Sequence, residues 1–301
     1  MAEYKIRSKS GILFCKEYKK GLEVVEYKGD DIHLEIPAYS DQAGKPVISI
    51  GKKAMLSCKN LQSIRLEDAI EEIGDWAFAY CDELREVFLP KKQISFGRGM
   101  FQECPRLHAV HIADTHSDIG GLMAAAVTLL DAPYLFHPMS AGEEEWIRQW
   151  DARMLQLLHK KDREGFSKML LCGEEDYGSQ ENNLDYYVNQ KRKSKVRIAF
   201  MRLLNPIGLH DTVKQELITY LQDHTAGKES EETWQVLRME HGNDSDYYKL
   251  FTEMNCLTQD NFDQILREIG KDDPEMKAFF MRYKAEKLGY SDFFDNLELL
   301  F

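Results

Sequence analysis

The sequence of 301 residues contains no run of about 18 apolar residues, and that absence excludes a membrane-spanning helix. Its opening, Met-Ala-Glu-Tyr-Lys-Ile-Arg-Ser-Lys, lacks an apolar stretch followed by a small-residue cleavage site, so it reads as cytoplasmic. Clustered positive charge is also scarce. The net charge is −12, with 17 basic against 19 acidic side chains in residues 1–119 and 22 against 32 in residues 120–301. Neither half has the electrostatic footprint of a phosphate binder, so no nucleic-acid or membrane partner is expected. Cysteine is limited to six positions, three of which fall in one column of the repeat set out below. Three cannot all pair with one another, and without an export signal they are read as small buried thiols. Nothing in the composition indicates disorder or a fibre, since the hydrophobic fraction of 43% is that of a globular chain. The length suits two domains.

What is present is a pattern written three times at an offset of 23. Ile50, Ile73 and Phe96 share one column and Gly51, Gly74 and Gly97 the next. Ala54, Ala77 and Met100 follow, then Met55, Phe78 and Phe101, then Cys58, Cys81 and Cys104. Leu61, Leu84 and Leu107 precede Ile64, Val87 and Val110, and Leu66, Leu89 and Ile112 close the register. A fixed period of this length is the signature of a solenoid. In Leu61-Gln62-Ser63-Ile64-Arg65-Leu66 the apolar residues alternate with polar ones, which predicts a short strand with Ile64 and Leu66 inward. The spacing of Ala54, Met55 and Cys58 predicts one helical turn with a buried face, entered through the preceding glycine.

The motif Ile-Gly-x-x-Ala-Phe-x-x-Cys-x-x-Leu, from Ile73 to Leu84, resembles the BspA-type leucine-rich repeats of bacteria. The resemblance covers roughly residues 20–112. It implies a right-handed solenoid with a parallel sheet, used for protein–protein contact, and it carries over no catalytic residue or cofactor.

A solenoid needs its first strand capped, and residues 1–46 are expected to do this. Leu22–Tyr27 and Ile32–Ile36 alternate about Lys28-Gly29-Asp30-Asp31, which predicts a hairpin. After the third repeat come His108, His111, Asp114, His116 and Asp118, residue types that ligate zinc in metal-dependent hydrolases. The repeat register instead puts His108 and His111 in solvent-facing columns, so the cluster is read as the solvated end of the third strand. Gly120-Gly121 is expected to break the pattern before a short Ala-rich helix over Leu122–Asp131. The two prolines of Ala132-Pro133-Tyr134-Leu135-Phe136-His137-Pro138 stop that helix, and the apolar triplet between them is expected to pack between the halves.

From Glu143 the period becomes helical. Trp146, Trp150, Leu157 and Leu158 line a first helix, Phe166, Met169 and Leu170 a second, and Val196, Phe200, Leu203 and Leu204 a third. Leu217, Tyr220 and Leu221 follow behind an Asp211 cap. A second repeat then runs at an offset of 28, pairing Trp234 with Phe262, Leu237 with Ile265, Gly242 with Gly270, Asp244 with Asp272, and Phe251 with Phe279. It predicts stacked helix pairs, an α-solenoid or irregular bundle that resembles degenerate ankyrin repeats, with a shorter period and no ankyrin turn signature. The basic run Lys191–Arg197 is read as surface, and Cys172, among carboxylates, as no nucleophile. The apolar C-terminal stretch around Phe293-Phe294 is expected to dock on its own helices or on a partner.

The fold class expected is therefore α+β: a leucine-rich-repeat domain over 1–119 (cap 1–46, repeats 47–112), a linker over 120–142 and an all-α domain over 143–301. The function expected is a non-enzymatic protein-interaction module without cofactor, with protein as partner. The alternative is a metal-dependent hydrolase centred on Asp114, His116 and Asp118. The expected binding surface is the outward face of the repeat strands, Ser63, Glu86 and Ala109 beside Arg65, Phe88 and His111. Phe88 stands out there as an aromatic where neighbouring repeats place Arg and His.

Overall fold

A computed structural model describes residues 3–113, 115–167, 183–270 and 273–288. The chain divides into two compact units, Met1–Leu155 and Gln156–Phe301. Segment 120–142 thus lies inside the first unit, as does most of the helix that follows it.

The first unit opens with the antiparallel strands β1 (Glu3–Arg7), β2 (Gly11–Tyr18) and β3 (Gly21–Gly29). The hairpin expected between 22–27 and 32–36 is absent. The turn that reverses the chain is at Lys19, left-handed at φ 50°, and β3 pairs backward with β2. Strand β4 (His33–Ile36) crosses to another sheet, because Leu34 and Ile36 continue the buried columns of Ile64 and Leu66. It forms the first rung of the solenoid at an offset of 30 instead of 23.

Each later turn contributes one strand to each of two sheets. Strands β7 (Ser63–Leu66), β9 (Glu86–Leu89) and β11 (Ala109–Ile112) join β4 in a four-stranded sheet ordered β11-β9-β7-β4. Strands β6 (Lys45–Ile50), β8 (Glu72–Ile73) and β10 (Ser95–Phe96) continue the sheet begun by β1–β3, and β5 (Tyr39–Ser40) pairs with β6. Parallel pairs such as Val110↔Val87 and Ile73↔Ile50 keep the 23-residue offset. Ile64, Val87 and Val110 are fully buried, and Phe78 stacks on Phe101 at 5.5 Å between ring centroids.

The segments expected as single helical turns are turns of another kind. Lys53, Trp76 and Gly99 have φ between 53° and 59°, and Ser57, Tyr80 and Glu103 between 54° and 60°. Two left-handed residues per rung stop a helix from forming. The amides freed in this way bond across rungs, Met55 N to Ala77 O and Phe78 N to Met100 O, both at 2.9 Å. The glycine column is set by the same close stacking: a Cβ on Gly97 would lie 2.3 Å from the Asp75 amide nitrogen.

Helix α1 (Ser117–Thr128) closes the array and runs through Gly120-Gly121, where a break was expected. Its Gly120 faces the edge strand, and a Cβ there would meet Val110 O at 3.3 Å, so the missing side chain lets the helix cover the strand edge. Leu135 and Phe136 are buried within this unit, with Phe136 against Phe96 and Phe101 at 4.9 and 5.7 Å. In α2 (Glu144–Leu158), Trp146 and Trp150 donate their indole N–H groups to Leu135 O and Leu122 O.

The second unit contains α3 (Leu184–Leu204), α4 (Asp211–Asp223), α5 (Glu232–His241), α6 (Ser245–Glu253), α7 (Gln259–Ile269) and α8 (Pro274–Tyr283). His210, not Asp211, takes the N-cap position of α4. Helices α5–α6 and α7–α8 form the two expected pairs, with a slip between them. Asp244 is the N-cap of α6 and Asp273 that of α8, so the offset becomes 29 at the turn. The buried partner of Phe251 is consequently Phe280, at 6.0 Å, and both lie beside Trp234. Phe279 is only half-buried. Met169, Leu170, Cys172, Asp272 and the stretch at Phe293-Phe294 lie outside the described residues. No helix among the described residues is long and apolar enough to cross a membrane.

Candidate functional site: the outward face of the four-stranded sheet

Alternation along β4, β7, β9 and β11 sends every second side chain out of the sheet, and the common register aligns these in two rows. One row is His33, Ser63, Glu86 and Ala109, and the other is Glu35, Arg65, Phe88 and His111. All six residues expected at this face are therefore neighbours. His33 and Glu35 join them from the first rung, which the 23-residue period alone did not reveal.

Contacts within the second row follow the strand spacing of about 4.8 Å, which is close to the separation of stacked planar groups. The Arg65 guanidinium carbon lies 4.2 Å from the centroid of Phe88. The His111 ring stacks on the other face of Phe88 at 4.5 Å and 18°. His111 Nε2 is 3.3 Å from Glu86 Oε1, and His33 Nδ1 is 2.8 Å from Ser63 Oγ. Phe88 is half-buried, and the groups covering its faces are Arg65 and His111 themselves. The apolar loop Tyr134–Phe136 packs elsewhere: Phe136 lies on Phe96 and Phe101, and Tyr134 is 64% exposed.

Residues 41–129 match the family described as BspA type leucine-rich repeat region, in six copies. This stretch is a BspA-type leucine-rich repeat region. Solved structures similar to it include a leucine-rich repeat protein of T. pallidum, 27% identical over 30% of this chain and 42% of that one, with a TM-score of 0.29. One from Bacteroides ovatus is 22% identical, covering 36% of this chain and 29% of that one, with a TM-score of 0.32. One from Bacteroides capillosus is 20% identical, covering 36% and 97%, with a TM-score of 0.27. The chain spans less than half the length of the first two. No curated protein matches it.

Within and just after the leucine-rich repeat region, the cluster considered for metal has other engagements. His116 is the N-cap of α1, with its Nδ1 accepting from the Asp118 amide at 3.3 Å and lying 3.1 Å from the Asp118 carboxylate. His108 is exposed, His111 belongs to the stack, and Asp114 lies outside the described residues. No group of three His, Cys, Asp or Glu side chains among the described residues is arranged to hold a metal ion.

The cysteine column runs through the turns as thiols. Cys81 donates to Met55 O at 3.2 Å and Cys104 to Phe78 O at 3.1 Å. Burial pushes the Cys104 thiol up to about 11, which leaves it a poor nucleophile. In the second unit the basic run of α3 is engaged within the chain. Arg192 and Lys195 bind Asp162 at 2.8 and 2.7 Å, and Arg197 grips Glu240 with two nitrogens. Repeats of the leucine-rich class are generally non-enzymatic, and they suggest a protein–protein interaction module.

Proposed function

We propose that this chain is a non-enzymatic protein-binding scaffold and that its contact surface is the face carrying Ser63, Arg65, Glu86, Phe88, Ala109 and His111. The observation that carries this reading is Phe88. It stands outward on a central strand, half-buried, and is held upright between Arg65 and His111 instead of being folded under a loop. Aromatic and Arg side chains that are rigid before binding are the commonest anchors of binding hot spots, because little side-chain entropy is lost on contact. The thiol column supports a reducing, cytoplasmic compartment, since sulfur atoms that donate to backbone carbonyls carry protons and are not bridged.

The test is a pull-down from native lysate with wild-type protein and Phe88→Ala, together with thermal melting of both. Loss of a specific partner with near-normal melting supports the reading. A variant that retains every partner moves the contact surface off this face.

A further inference from the structure

The geometry of the stacked row points to the kind of partner, an inference that rests on the contact surface proposed above. The rings of Phe88 and His111 stack along the direction that runs from strand to strand, so their planes stand upright on the sheet, and the Arg65 guanidinium carbon lies 4.2 Å from the Phe88 centroid in the same row. The edge of a guanidinium carries its N–H donors, and the edge of a phenyl ring is the positive end of its quadrupole. The face of Phe88 that would attract a cation is covered on both sides. Among the described residues Arg65 has no carboxylate partner, and Glu86, the acid of the neighbouring strand and row, is held by His111.

We propose that this face receives a carboxylate borne on an extended acidic peptide segment of a partner protein, held by the edge donors of Arg65. A fork of fixed N–H groups binds a carboxylate bidentately, and packing against Phe88 pre-orients that fork. The face is short. Four strands at about 4.8 Å span about 14 Å between the outer pair, which an extended segment of about five residues covers. The opposing influence is Glu35, exposed on the next strand of the same row as Arg65. Its charge repels an incoming carboxylate, so the acid at position 35 weakens the binding that Arg65 creates.

The experiment selects a random decapeptide library displayed on phage against the full chain, with selection against Phe88→Ala to isolate peptides that need this face. Peptides so obtained are made in two forms, one with the acid and one with Asn or Gln in its place. The expected result is enrichment of Asp or Glu, with the acid form binding wild type at least about tenfold more tightly than its amide twin. Arg65→Gln should abolish that preference, and Glu35→Gln should tighten the acid form about threefold. Melting curves establish that both variants fold. Phe88-dependent peptides that bind equally well as amides, or that ignore Arg65→Gln, overturn the carboxylate inference and leave the contact surface standing. A library that yields no Phe88-dependent peptide overturns both.

Discussion

The two units solve the same problem, stacking short repeats into a core, with different couplings. In the first, neighbouring rungs are joined by backbone hydrogen bonds in two sheets and again through the turns, so the columns within residues 47–112 keep their 23-residue spacing. In the second, no backbone–backbone hydrogen bond among the described residues joins the pair α5–α6 to the pair α7–α8, and side chains supply the contact between them. Trp234, Phe251 and Phe280 are the chief contacts. Side-chain packing accommodates one extra residue before Asp273 by shifting the buried aromatic from Phe279 to Phe280. A backbone ladder has no such freedom, because a one-residue shift in a strand turns its buried face outward.

This contrast can be broken most severely by insertion. One alanine placed between Val87 and Phe88 should prevent the first unit from folding, seen as loss of its unfolding transition in denaturant. One alanine between Asn243 and Asp244, where the second pair already carries its extra residue, should cost about 1 kcal/mol and keep the transition. Comparable losses at both sites would show that the helical pairs are as strictly registered as the rungs.

Phe78→Ala should cost about 3–5 kcal/mol in equilibrium unfolding, because a fully buried ring is removed from a stack that cannot close around the cavity. A loss under about 1 kcal/mol would mean that the rungs repack as freely as helices do.

The units should also differ in how much one carboxylate with a depressed pKa contributes at neutral pH. Burial acts to raise the Asp162 carboxyl, but hydrogen bonds from Lys195 and Arg192 outweigh it and hold the group below the usual range. Asp31 in the first unit is likewise lowered against burial, but by Ser8, Tyr27 and the Ser10 amide. Carboxylates with depressed values contribute stability above the ordinary value of about 3.9 and lose it as the pH falls through the folded value. Both units should therefore weaken below about pH 4. Asp162→Asn at pH 7 should cost about 2–3 kcal/mol, since the mostly buried Lys195 loses its counter-ion. That penalty should be smaller for Asp31→Asn, whose partners are uncharged. Unfolding curves of the two variants at pH 7 and pH 3 check this.

The smallest effect is expected at the proposed contact surface. Phe88→Ala should cost about 1 kcal/mol or less, the worth of its stacking, because Arg65 and His111 are themselves accessible and need no cover. A loss of about 3 kcal/mol in thermal unfolding would make Phe88 a core residue of the first unit.

Much of the solenoid could be read from the chain because its inward columns demand particular sizes: Ile64, Val87 and Val110 occupy one buried slot and repeat visibly. The left-handed columns escaped notice for the converse reason. Lys53, Trp76 and Gly99 share a backbone conformation and no side-chain property, so no residue type marks the position. The first rung was hidden by its longer offset, although His33-Leu34-Glu35-Ile36 has the same alternation as Ser63-Ile64-Arg65-Leu66. Gly120-Gly121 misled because glycine within a helix is costly, and here close approach to Val110 offsets that cost. At the candidate site the outward columns were legible, whereas the contact of Arg65 and His111 with Phe88 depends on rotamers that spacing does not specify.

The closing helix also bears on how such a chain can change length. Because Gly120 sits against the carbonyl of Val110, α1 fits the last strand specifically and ends growth of the sheet there. A further turn appended after Ile112 would meet a helix made for a different edge. A whole 23-residue segment duplicated between β7 and β9 would present identical rungs on both sides and leave the helix on its own strand. Gain and loss of turns in descendants of this chain should accordingly occur in the interior of the array, with the first rung and α1 carried along as fixed ends.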